Sequence, residues 1–122
     1  MTRRTSRIDR LPALVAALLL LFAVPGLAGA EDILRLQGPV TDSAGVLAGR
    51  VAEIETAVDR TLDDHGVQVF VLYVRTTGDR QMADYATETA ATNSLGVDDA
   101  LLVVAMDDRS DYIWVADGLD EI

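Results

Sequence analysis

Two nearly unbroken apolar runs of strand length, Val67–Val74 (VQVFVLYV) and Ala100–Met106 (ALLVVAM), flank one helix-patterned stretch. That spacing restricts the fold more than any other feature. Runs without apolar–polar alternation belong in strands covered on both faces. A strand, a helix and a strand in succession form a parallel pair, joined by a crossover that is right-handed in nearly all proteins. Thr76-Thr77-Gly78-Asp79 turns the chain, with Asp79 as the expected N-cap. The helix is expected over about Arg80–Thr92, with Met82, Tyr85, Ala86, Thr89 and Ala90 on one face, and Asn93-Ser94-Leu95-Gly96 ends it.

Beyond Met106, Asp107-Asp108-Arg109-Ser110 favours a tight turn, and the aromatic and β-branched Tyr112-Ile113-Trp114-Val115 returns as an antiparallel hairpin strand. Upstream, Val51, Ile54, Val58 and Leu62 recur at helical spacing, in a helix that starts near Leu47 or Ala48 and closes at Gly66. Val40–Gly45 reads as an Asx-type turn and residues 31–39 as an exposed linker ending in Gly38-Pro39. The order helix–strand–helix–strand–hairpin strand defines a small α/β layered domain over residues 40–122.

The first thirty residues read as a signal peptide. Arg3, Arg4, Arg7 and Arg10 form a basic head, Leu11–Val24 an uncharged apolar core, and Ala28-Gly29-Ala30 a small-x-small cleavage site. Thr5-Ser6 after the arginine pair argues for the Sec route over the twin-arginine one. An uncleaved membrane anchor is the alternative, because Leu11–Ala30 is a twenty-residue stretch without a charge. Either way the remainder is expected outside the cytoplasm, in the cell envelope or beyond it. There, six arginines face nineteen carboxylates, a net charge near −13, which argues against nucleic acid and anionic lipid as partners and is compatible with cation binding. With no cysteine and no lysine, thiol catalysis, disulfides and lysine Schiff bases are excluded.

Topology gathers the candidate site. In a parallel pair, the turns after the two strands fall at one edge of the sheet, and α/β domains bind ligands there. Asp79 and the turn Asp107-Asp108 follow the two strands, and Asp42 precedes a helix that feeds the first of them, so all four acids are expected at that edge. Asp98, Asp99 and Asp120 belong to the opposite one. His65, the single histidine, reads as a surface residue at a helix C-terminus rather than a base or ligand. Ser43, Ser94 and Ser110 have no histidine partner in a recognisable pattern, which argues against a serine hydrolase.

Val40-Thr41-Asp42-Ser43-Ala44-Gly45-Val46-Leu47, Gly66–Val71, Asp98–Ala105 with Asp107-Asp108-Arg109, and Gly118-Leu119-Asp120 together resemble the TPM-domain family. That family is named after a thylakoid-lumen phosphatase, a photosystem II protein and a modulator of levamisole receptors. The chain departs from the family pattern at Asp99-Ala100, where Asn-Gly is usual, and at Asp120, where the usual acid is glutamate. Because the family domain continues with further helices, residues 40–122 are expected to be an incomplete domain, truncated at its C-terminus. The resemblance implies a small Rossmann-like α/β/α sandwich and an exported or lumenal location, and it divides on function. One expectation is a metal-dependent acid phosphatase: Asp42, Asp107, Asp108 and Asp79 hold Ca²⁺ or Mg²⁺, Asp108 and Arg109 are catalytic, and a phosphate ester is the substrate. The other is a non-catalytic interaction or assembly module for membrane or envelope proteins. From the residues alone, each aspartate reads better as a turn former or a helix cap than as a ligand, and it is the resemblance that brings the two readings level.

Overall fold

The computed structural model describes residues 32–119; the expected leader, and Asp120 with its expected place at the far edge, lie outside them. Four strands and two helices follow in the order β1 (Val40–Asp42), α1 (Val51–His65), β2 (Gln68–Val74), α2 (Met82–Thr92), β3 (Asp99–Ala105) and β4 (Ser110–Val115). Single 3₁₀ turns occupy Ala48–Arg50 and Asp117–Leu119. The sheet order is β1-β2-β3-β4, with the first three strands parallel and β4 antiparallel to β3.

The expected parallel pair and hairpin are present, and the sheet gains a strand at its start. Val40–Asp42, read as part of a turn, pairs with Val71–Tyr73 of β2. Three residues are too few to display a strand period, and only the neighbouring strand reveals them. The segment before β1 also departs from expectation, because it is packed rather than exposed as a linker. Ile33, Leu34 and Leu36 lie half-buried against the core. The side chain of Asn93 fixes them, its Oδ1 accepting from Leu36 N–H at 2.8 Å and its Nδ2 donating to Leu34 O at 2.8 Å. The Tyr85 hydroxyl donates to Asp32 O at 3.1 Å.

The register places the two helices on opposite faces of the sheet. Val40 and Val71 pack with Leu47 and Val58 on the α1 side, whereas Leu72, Val74, Leu101, Val103 and Ala105 pack with Tyr85, Ala86 and Ala90 on the α2 side. Each of those α2-side residues except the alanines is a large side chain wholly removed from water, worth roughly 1.5–3 kcal/mol. Both crossovers step in the same direction across the sheet, yet their helices cover different faces. They therefore have opposite hands, and one of them runs against the right-handed preference. This is what gives a three-layer domain from two helices.

α1 ends at Gly66, whose φ of 70° lies in the left-handed region and whose N–H caps Leu62 O at 2.9 Å. α2 begins at Met82, after Gln81 in an extended conformation, so Asp79 is not its cap. Thr77 preempts that role: its carbonyl accepts from Arg80 N–H and its hydroxyl donates to Arg80 O, closing a separate turn before the helix. On the α1 side, the cover reaches β1 and β2 but leaves the far half of the sheet open. Ile113 and Val115 of β4 are 60% and 42% exposed beside half-buried Leu102 and Val104.

Candidate functional site

Because β1, β2 and β3 run in one direction, the segments after Asp42, Val74 and Ala105 emerge at the same edge. Asp42 ends β1 at this edge, and Asp79, Asp107, Asp108 and Arg109 belong to the loops that follow β2 and β3, as the topology predicts. Asp98 and Asp99 lie at the opposite edge, where Asp98 O accepts from Gln68 N–H at the start of β2. His65 is exposed at the end of α1, also at that far edge and remote from the carboxylates.

Asp42 closes the β1 loop on itself. Its Oδ2 accepts from Leu47 N–H at 2.9 Å and its Oδ1 from Val46 N–H at 3.1 Å. These fixed donors, Leu47 first, hold its carboxyl below the usual range, so it is ionised well into acid. A cavity of about 130 Å³ opens beside it, lined by Leu34, Arg35, Gln37, Thr41, Asp42 and Ser43. Leu34, Arg35 and Gln37 in that wall come from the packed lead-in, so nothing in the linear sequence marked them.

Asp108 joins two loops. It accepts from Thr77 N–H at 3.0 Å and from the Thr76 hydroxyl at 2.8 Å, and these bonds likewise lower its pKa. The threonines were legible only as turn residues; their role as donors needs the tertiary fold. Parallel pairing continues just past the strands, with Met106 N–H on Val74 O and Asp107 N–H on Arg75 O, which brings the loops into contact. Arg109 completes the hairpin at φ 50°, a conformation that costs a side-chain-bearing residue energy. Asp79 faces elsewhere, into an open groove along α2 with Arg80, Gln81, Asp84, Thr87 and Glu88. The four acids thus share an edge without forming one cluster: among the described residues no three His, Cys, Asp or Glu side chains converge as ligands.

A three-layer α/β/α domain with acidic loops at the carboxyl edge of a mostly parallel sheet is the class that fold and site define. The family model for the TPM domain matches residues 40–122, and the chain belongs to that family. It is similar to UPF0603 protein Rv2345 and UPF0603 protein MT2410, from two strains of Mycobacterium tuberculosis, each 40% identical over 108 residues. The match takes in 84% of this chain but 16% of either relative, so the chain spans about a sixth of their length. Two solution structures share the fold. One is the N-terminal domain of a protein from P. gingivalis, with a TM-score of 0.60 and 26% identity over 67% of this chain and 55% of that one. The other is the N-terminal domain of cg2496 protein from Corynebacterium glutamicum, with a TM-score of 0.63 and 18% identity over 75% and 62%.

Proposed function

We propose that this domain is a non-catalytic, divalent-cation-binding module that works outside the cytoplasm. The observation that carries the reading is the pair of carboxylates, Asp42 and Asp108, kept ionised by fixed N–H donors on loops that share one sheet edge. An ionised carboxylate offers about four acceptor positions; the internal bonds take up two on Asp42, from Val46 and Leu47 N–H, and more on Asp108, from the Thr76 hydroxyl and the Thr77 N–H and hydroxyl. The remaining oxygens are hard donors of the type Ca²⁺ and Mg²⁺ select, and Mg²⁺ is commonly held by one or two carboxylates with water completing its shell. Asp107, exposed beside Asp108, is the third acid in reach of the same loop. Asp79 is the outlying member of the set.

Phosphate-ester hydrolysis is the less favoured role. It requires a base or an activated water as well as a charge stabiliser for the transferring oxygens. Arg109 is available for the second task, but the single histidine lies at the other edge, and Asp108 is engaged in bracing Thr76 and Thr77. The acidity of the chain and its expected leader support work in the cell envelope, where millimolar Ca²⁺ and Mg²⁺ make a weak site useful.

The test is a Ca²⁺ and Mg²⁺ titration followed by amide NMR, with p-nitrophenyl phosphate turnover measured alongside. Saturable shifts at Asp42 and Asp107–Arg109, lost in Asp108→Asn, with no turnover, are expected. Shifts centred on Asp98 and Asp99, or none, refute the site. Turnover abolished by Asp108→Asn refutes the non-catalytic role.

A further inference from the structure

The chain contains one asparagine, Asn93, and a serine follows it. Its side-chain amide is the clasp of the packed lead-in. Oδ1 accepts from Leu36 N–H at 2.8 Å, and Nδ2 donates to Leu34 O at 2.8 Å and to Thr89 O at 2.9 Å. Asparagine is a thermolabile residue, because the backbone nitrogen that follows it can attack its side-chain amide carbon. A small residue in the next position leaves that nitrogen accessible, and Ser94 is exposed. In the folded chain both reacting groups are held in other bonds. Ser94 N–H donates to Ala91 O at 3.1 Å, and the amide makes its three contacts. The reaction therefore waits on opening of the lead-in, which leaves the amide with the Thr89 bond alone of the three.

We propose that Asn93 is a self-modification site whose conversion releases the lead-in irreversibly. When the segment opens, Ser94 N bonds to Asn93 Cγ and the Cγ–Nδ2 bond breaks. The Ser94 amide proton leaves with Nδ2 as ammonia. Water, the only co-reactant, then opens the cyclic imide at either carbonyl and gives aspartate or isoaspartate. Neither product can remake the clasp. A carboxylate still accepts from Leu36 N–H, but it has no N–H for Leu34 O or Thr89 O and sets a negative oxygen against both. Isoaspartate also adds a methylene to the main chain at the end of α2. The consequence reaches the carboxyl edge, because Leu34, Arg35 and Gln37 of the cavity wall beside Asp42 belong to the released segment. An unmodified chain opens and recloses; a modified one stays open, so the conversion records the opening.

The test incubates the full chain at mildly alkaline pH, where the attacking nitrogen loses its proton more readily, and follows amide-to-acid conversion by peptide mass spectrometry. With a single asparagine, the conversion maps to one peptide. It is expected to be fastest in the urea-unfolded chain and slow in the folded one. Tyr85→Phe removes the bond from the Tyr85 hydroxyl to Asp32 O at 3.1 Å and leaves Asn93 intact. The lead-in should then open, and Asn93 convert, about fivefold faster. The converted protein, separated by its added negative charge, is expected to exchange Gln37 N–H at least about fivefold faster than the parent. Unchanged protection at Leu72 checks that each species is folded. Equal conversion in Tyr85→Phe and the parent, folded conversion as fast as unfolded, or none in urea would overturn the proposal. So would a converted chain that keeps its protection at Gln37, because the lead-in would then have redocked on the acid.

Discussion

Removing the Asn93 side chain is expected to release the segment before β1. Its amide makes three bonds: to Leu36 N–H, to Leu34 O and to Thr89 O at 2.9 Å. Thr89 O already accepts from Asn93 N–H at 3.1 Å, so loss of the third matters little. The other two hold the lead-in against α2, and at a net value near 1 kcal/mol each their loss in Asn93→Ala amounts to about 2 kcal/mol. Two kcal/mol corresponds to roughly a thirtyfold change in an equilibrium constant. The readout is amide hydrogen exchange at Gln37, whose N–H bonds to Thr41 Oγ1 at 3.0 Å and is untouched by the substitution. If residues 32–37 open as a unit, Gln37 exchanges about thirtyfold faster, while Leu72 in the central strand keeps its protection. Faster exchange at Leu36 with Gln37 unchanged would show that the segment does not depend on Asn93, and the reasoning would fail.

Two glycines separate strain from collision. A Cβ on Gly118 would collide with the backbone carbonyl of Val97, so Gly118→Ala should cost about 1–3 kcal/mol, read as a lowered urea midpoint, and should loosen the turn at Asp117–Leu119. Gly66→Ala meets open space but keeps a left-handed φ, so a loss of about 1–2 kcal/mol is expected, and Gly66→Asn should recover most of it. Acid stability should follow the two bracing carboxylates. Their folded pKa values lie below the ordinary value of 3.8, so their contribution is complete above that pH and is lost as the pH falls through the lower, folded values. In acid titrations followed by circular dichroism, Asp42→Asn and Asp108→Asn should flatten this limb; an unchanged limb would show that the carboxylates do not stabilise the loops.

The central strands, the second helix and the hairpin were legible because each repeats its pattern over six or more residues. β1 and the lead-in were not. Ile33, Leu34 and Leu36 look like isolated apolar residues before a Gly-Pro turn, and only Asn93, fifty-seven positions beyond Leu36, explains their order. The edge that gathers Asp42, Asp107 and Asp108 followed from strand direction alone. What each carboxylate does there did not follow, because a turn-forming aspartate and a ligand look alike in sequence until the neighbouring N–H groups are placed. Asp79 shows the same limit: it has the right spacing for a cap, but Thr77 closes the turn first.

The pairing registers also set an order of assembly. Val40 pairs with Val71 and Val71 with Leu102, so each parallel contact closes a loop of 31 residues, whereas the β3–β4 turn joins near neighbours. Loop closure must precede the reward of a distant contact, so the hairpin should form early and the parallel pairings later. β1, with three residues and no second neighbour among the described residues, is then the last strand to dock and the first to leave. The Asp42 loop departs with it, so the carboxyl edge acquires its full complement of acids only at the final step of folding.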